Sequence, residues 1–121
     1  MSRKPRLRTS GGYVVTWEAD LRTRPDAGDA VPYLRHGLTA LRDHPEVASA
    51  TCRYLRGEAR VVFGVQIGHA LTPDFALVRA SAALRESLDG AGVGVAPSAS
   101  GAASPMAQLR LDRGPVSIAR A

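Results

Sequence analysis

Cysteine occurs once in this chain, at Cys52, lysine once, at Lys4, and aromatic residues only six times. Each scarcity excludes something. A single thiol leaves no intramolecular disulfide and no cysteine-built metal cluster within one chain. With only Tyr13, Trp17, Tyr33, Tyr54, Phe63 and Phe75 to fill large volumes, the core must be made mostly of aliphatics and alanines. The first residues are basic but no apolar run follows them, so a secretory signal peptide is not expected. No window approaches the roughly 20 apolar residues of a membrane-spanning helix. The cytoplasm is the expected location, with no membrane partner. Internal repeats are absent as well.

Fifteen arginines stand against that one lysine, among many alanines, glycines and valines. Such usage is expected of a GC-rich bacterial genome. The net charge of +5 suggests nucleic acid until it is located. Arg3, Lys4, Arg6 and Arg8 crowd the first eight residues, whereas residues 9–97 hold nine arginines against ten carboxylates. Arg110, Arg113 and Arg120 against Asp112 make the end basic again. The charge therefore belongs to the tails. A near-neutral middle argues against a broad basic face that tracks a phosphate backbone. Four charges on an arm support at most weak, salt-sensitive nucleic-acid binding.

Length sets one domain, and the period of the apolar residues sets its layout. Residues 1–12 read as a flexible basic arm ending in Ser10-Gly11-Gly12. Tyr13, Val15, Trp17, Ala19 and Leu21 then alternate with polar neighbours, the pattern of a half-buried strand. Arg22 to Gly28 reads as a loop. Asp29 is placed to cap a helix whose stripe is Val31, Leu34, Leu38 and Leu41, with Pro32 in its first turn and Pro45 ending it. Val47 to Leu55 is a second strand, with Ala48, Ala50, Cys52 and Tyr54 on one side. A turn at Arg56-Gly57-Glu58, with glycine supplying the positive φ, leads to a third strand carrying Val61, Phe63, Val65 and Ile67. The third strand's near-continuous apolar run predicts a central position.

Thr72-Pro73-Asp74 begins a second helix, with Leu77, Ser81, Leu84 and Leu88 as its stripe, widened by Phe75, Val78 and Ala82, and Gly90 as its stop. Val93 and Val95 form a short edge strand. The order strand-helix-strand-strand-helix-strand predicts an α+β fold: a ferredoxin-like βαββαβ two-layer sandwich over residues 13–97. Its four antiparallel strands would run in the order 4-1-3-2, with both helices on one face. Residues 98–121 read as a low-complexity tail, disordered to about Ala107, with extended pieces possible around Leu109, Leu111, Val116 and Ile118.

No motif carries chemistry. His36 and His44 are two turns apart on one helix, too far to share an ion. Cys52 alternates with Ala50 and Tyr54 on the inward side and reads as a small hydrophobe. Gly90, Gly92 and Gly94 leave a helix and enter a strand, the reverse of a phosphate-binding loop. No cofactor, metal ligand or catalytic residue is assigned. The face left uncovered by the helices would show Thr16, Glu18, Asp20, Ser49, Thr51, Arg53, Arg60, Val62 and Gln66. It lacks the aromatics on which an RNA-binding sheet stacks bases. Its mixed charges instead suit a protein contact through Glu18, Asp20, Arg53, Arg60, Val62 and Gln66. One version is a homodimer in which Glu18 and Asp20 oppose Arg53 and Arg60 of a second copy, with Gly64 permitting close approach. The expected function is thus a non-enzymatic interaction or self-associating module. The alternatives are a small-ligand sensor with a cleft near Asp20–Asp29 and Thr72, and an enzyme using His69 with Asp74 or Glu18.

Overall fold

The computed structural model describes residues 11–23, 28–96, 107–110 and 115–121. The basic arm up to Ser10, most of the Arg22–Gly28 loop with Pro25 and Asp26, and the low-complexity stretch 97–106 lie outside the described residues, as does Leu111. The elements run β1 (Tyr13–Thr23), α1 (Val31–Asp43), β2 (Ser49–Leu55), β3 (Arg60–Ile67), α2 (Pro73–Gly90), β4 (Val93–Ala96), β5 (Ala107–Arg110) and β6 (Ser117–Arg120). The α+β class and the two helices match the sequence reading. The sheet does not stop at four strands. Among the described residues it has six, in the order β2-β3-β1-β5-β4, with β6 also on β1.

The two added strands come from the segment read as a tail. β5 pairs with residues 20–23 of β1 and β6 with residues 13–16, both antiparallel. β4 therefore pairs with β5, in parallel, instead of with β1. The expected neighbours 1-3-2 remain, but β5 stands between β1 and β4. β3 is an interior strand next to the edge, flanked by β1 over residues 13–20 and by β2 over residues 49–55, and the middle place belongs to β1.

Alternation along the strands divides the two faces. Val15, Trp17, Ala19 and Leu21 of β1, Val61, Phe63, Val65 and Ile67 of β3, Val93 and Val95 of β4, and Leu109 of β5 are all buried in one cluster with Leu34, Leu41, Leu84 and Leu88 of the helices. The helices thus cover the side that carries the odd-numbered residues of β1. Their crossing is close. A Cβ on Gly37 of α1 would lie 2.4 Å from Leu88 Cδ2 of α2, so the missing side chain is the space Leu88 occupies.

Local details follow residue chemistry, with four departures. Asp29 does accept a hydrogen bond from the Val31 N–H (3.1 Å), but the capping position itself is Ala30. Thr72 caps α2 as expected, its Oγ1 accepting from Phe75 N–H at 3.2 Å. The buried stripe of α2 is Ala76, Ala80, Ala83, Leu84, Ser87 and Leu88. Small residues face the sheet because they let the helix approach it, while Phe75, Val78 and Ala82 turn outward. In the hairpin, a short 3₁₀ turn spans Arg56–Glu58, and the left-handed residue is Ala59 (φ 51°) in place of Gly57. β1 also runs two residues past Leu21, to Thr23. Among the described residues no helix is long and apolar enough to cross a membrane.

Candidate functional site

Because each strand shows every second residue on the side away from the helices, the registers fix that face as rows. One row runs Ser49–Gln66–Val14–Ala119, and the next Thr51–Gly64–Thr16–Ser117. Then come Arg53–Val62–Glu18 and Leu55–Arg60–Asp20–Arg110–Ala96. Arg22–Gln108–Gly94 closes the face. One end is therefore small and neutral, and the other is charged. All six residues singled out from the sequence, Glu18, Asp20, Arg53, Arg60, Val62 and Gln66, lie on this face.

Their surroundings differ. The Arg60 guanidinium binds the Glu18 carboxylate directly, and its Nε lies 3.5 Å from Asp20 Oδ1. Both acids are thus engaged within their own chain, across the β1–β3 ladder, where the sequence reading set them against a second copy. Gln66 is only 7 % exposed. Its Oε1 accepts from Ser49 Oγ at 2.9 Å and its Nε2 donates to Gly11 O at 3.1 Å, so it pins the start of β1 to the β2–β3 hairpin. Gly64 leaves no vacancy for a visiting backbone, because Thr51 Oγ1 would stand 2.8 Å from a Cβ there. Arg22 and Arg53 are exposed and meet no carboxylate among the described residues.

A second cluster lies off this face, where β3 leads into α2. His69 Nε2 is 3.4 Å from Glu46 Oε1, and Arg79 Nε is 3.6 Å from the same oxygen. That oxygen is buried without a hydrogen bond, held between two basic groups. Phe75 completes the group, with the His69 ring edge-on at 5.6 Å and the Arg79 guanidinium over its face at 5.1 Å. Beside it, His44 Nδ1 accepts from Glu46 N–H at 3.1 Å while Nε2 sits 3.1 Å from Glu86 Oε1. This geometry suits a neutral imidazole protonated on Nε2. The carboxylate beside His69 is therefore Glu46, whereas the sequence pointed to Asp74 or Glu18. Nothing in the sequence signals this contact, since it joins residues 23 positions apart in two loops.

His36 is exposed on α1. No group of three histidine, cysteine or acidic side chains among the described residues could hold a metal ion. Cys52 is half-buried on the helix side of β2, and burial pushes its thiol up to about 11, against a smaller opposing pull from Arg42. A thiol so displaced is a poor nucleophile at neutral pH. Compared with protein-family models, with curated proteins and with solved structures, the chain matches none.

Proposed function

We propose that this chain is a non-enzymatic protein-interaction module whose docking surface is the open face of its sheet. One observation carries the reading: among the described residues, β2, β3, β1, β5 and β6 present a continuous surface, with both helices on the other side. From strand spacing and rise the face measures roughly 20 Å by 20 Å, or about 400 Å², about half of what one partner buries in a standard-size contact. Its neutral end is lined by the short side chains of Thr16, Thr51, Ser117 and Ala119.

The same reading takes the fold as a ferredoxin-like βαββαβ sandwich with β5 inserted between β1 and β4 and β6 added on β1. The chain order of the first four strands and two helices supports it, as does the neighbourhood β2-β3-β1. Fold alone does not give function, so the proposal rests on the face.

Site-specific photo-crosslinking in the native cell tests it. A photoreactive residue at Thr51 or Ser117, the two ends of one row, is expected to give discrete protein adducts. One at Arg85, exposed on α2, is expected to give none. Adducts from Arg85 alone, or equal adducts from all three positions, would overturn the proposal.

A further inference from the structure

The charge left on the open face says what kind of partner fits it. Four arginines, Arg22, Arg53, Arg60 and Arg110, share the charged end with two carboxylates, Glu18 and Asp20. Arg60 binds both carboxylates from the β3 side. Arg110 is the cross-strand neighbour of Asp20 on its other side. The acids are therefore committed within the chain, and Arg22 and Arg53 carry the surplus. Two copies set face to face would bring eight arginines to four carboxylates that are already bound. Guanidinium groups would then lose water without gaining a partner, which opposes association.

Resting on the interaction reading of this face, we infer that its partner is an acidic, extended segment of another protein, held through carboxylates by Arg53 and Arg22. Arginine matches a carboxylate with two parallel hydrogen bonds, which gives orientation as well as attraction. Arg53 lies on β2, the edge strand, and Arg22 on β1, two strands across and four residues further along the strand direction. By strand geometry their Cα atoms are roughly 16 Å apart, the span of about five extended residues. The neutral end continues the track with threonine and serine hydroxyls at Thr16, Thr51 and Ser117, suited to hydrogen-bonding a peptide backbone. A nucleic acid strand fits less well. The rows of this face hold no aromatic side chain among the described residues, because Tyr13, Trp17, Tyr54 and Phe63 alternate to the helix side. Stacking platforms are what single strands use.

The test uses the full chain and a fluorescein-labelled oligoglutamate about eight residues long, at about 0.1 M salt, where exposed charges are screened beyond about 10 Å. Fluorescence anisotropy is expected to show binding that weakens roughly fivefold in Arg53→Glu and again in Arg22→Glu. Arg85→Glu on α2, and replacement of Arg3, Lys4, Arg6 and Arg8 by serine, are expected to leave it unchanged. An oligothymidylate of equal charge is expected to bind more weakly. Tighter binding of the oligothymidylate, or loss of oligoglutamate binding with the arm, overturns the acidic-segment inference. A dimer joined through Thr51 crosslinks and split by Arg53→Glu also overturns it, while leaving the interaction face standing. Oligoglutamate binding indifferent to Arg53 and Arg22, with amide shifts confined to α2, removes both.

Discussion

The two edges of β1 are built differently, and the contrast explains most of this molecule. Toward β3, eight consecutive residues of β1 pair without interruption, from Tyr13↔Ile67 to Asp20↔Arg60. Away from β3, the edge is patched. β6 supplies four pairs at one end and β5 four at the other. Between Asp20↔Arg110 and Thr16↔Ser117, β1 has three residues where the opposing chain has six, so the two strands cannot share one register. The inner edge brings Val61, Phe63, Val65 and Ile67 into the core. The outer edge brings Leu109 in fully and Ile118 in part. Strands of equal backbone geometry thus differ severalfold in the apolar surface that holds them, and burial of that surface is the main force on a sheet.

Truncating Phe63, fully buried on the inner edge, should break the comparison in its favour. Phe63→Ala is expected to cost about 3–5 kcal/mol, read as a lower urea midpoint with protection lost throughout the sheet. Leu109→Ala, equally buried on the outer edge, is expected to cost about 2–3 kcal/mol, the low end for such a truncation, because a four-residue strand settles more readily around a void. Hydrogen exchange should then show the loss confined to β4, β5 and residues 20–23. A global loss for Leu109→Ala would mean that the outer edge is as integral as the inner one.

A third substitution probes the point where the edges meet. Gly12 has a φ of +81°, and a Cβ there would lie 1.9 Å from Ile67 O at the end of β3. Its own carbonyl accepts from the Ala121 N–H at 3.0 Å, at the end of β6. Gly12→Ala is expected to cost about 1–3 kcal/mol by backbone strain. It should raise exchange on both β3 and β6, where a change at either edge alone would touch one.

The smallest effect concerns Cys52, on the outermost strand of the β3 side. Its folded thiol is pushed up to about 11 from an ordinary 9.0. The unfolded chain therefore loses the proton first, so the contribution to stability is complete below pH 9 and is lost as pH rises toward 11. Iodoacetamide alkylation of the folded protein should stay slow at pH 9 and rise only as pH approaches 11. A rate matching the unfolded chain at pH 9 would show that this strand opens freely.

What the sequence revealed follows the same division. β1 carries five inward apolar residues and β3 four, enough repeats of the two-residue period to mark a strand and its inward side. β5 and β6 offer Leu109 and Ile118, one large inward apolar residue each, and a period cannot be read from one. They joined the sheet through backbone pairing to β1, which any residue supplies. The open face was legible for the same reason as the core, being its complement along the same strands. The pairings on it were not. Whether Glu18 and Asp20 meet Arg60 of their own chain or another depends on the β1–β3 register, a long-range pairing that no local turn sets, since α1 and β2 lie between the two strands. The face α2 turns to the sheet departs from the leucine stripe because leucine and phenylalanine outweigh alanine in any stripe drawn by hydrophobicity. Close helix–sheet approach favours the small residue.

β5 stands between β4 and the rest of the sheet, and this has a consequence for synthesis. β4 leaves the ribosome before the strand that links it to β1 exists, and α2 is already helical-competent behind it. During that interval the outer edge of β1 faces water with its peptide groups unpaired, the condition in which nascent chains stick to one another. Elements translated late close a gap in the middle of the sheet, so the architecture is sealed from its latest residues inward.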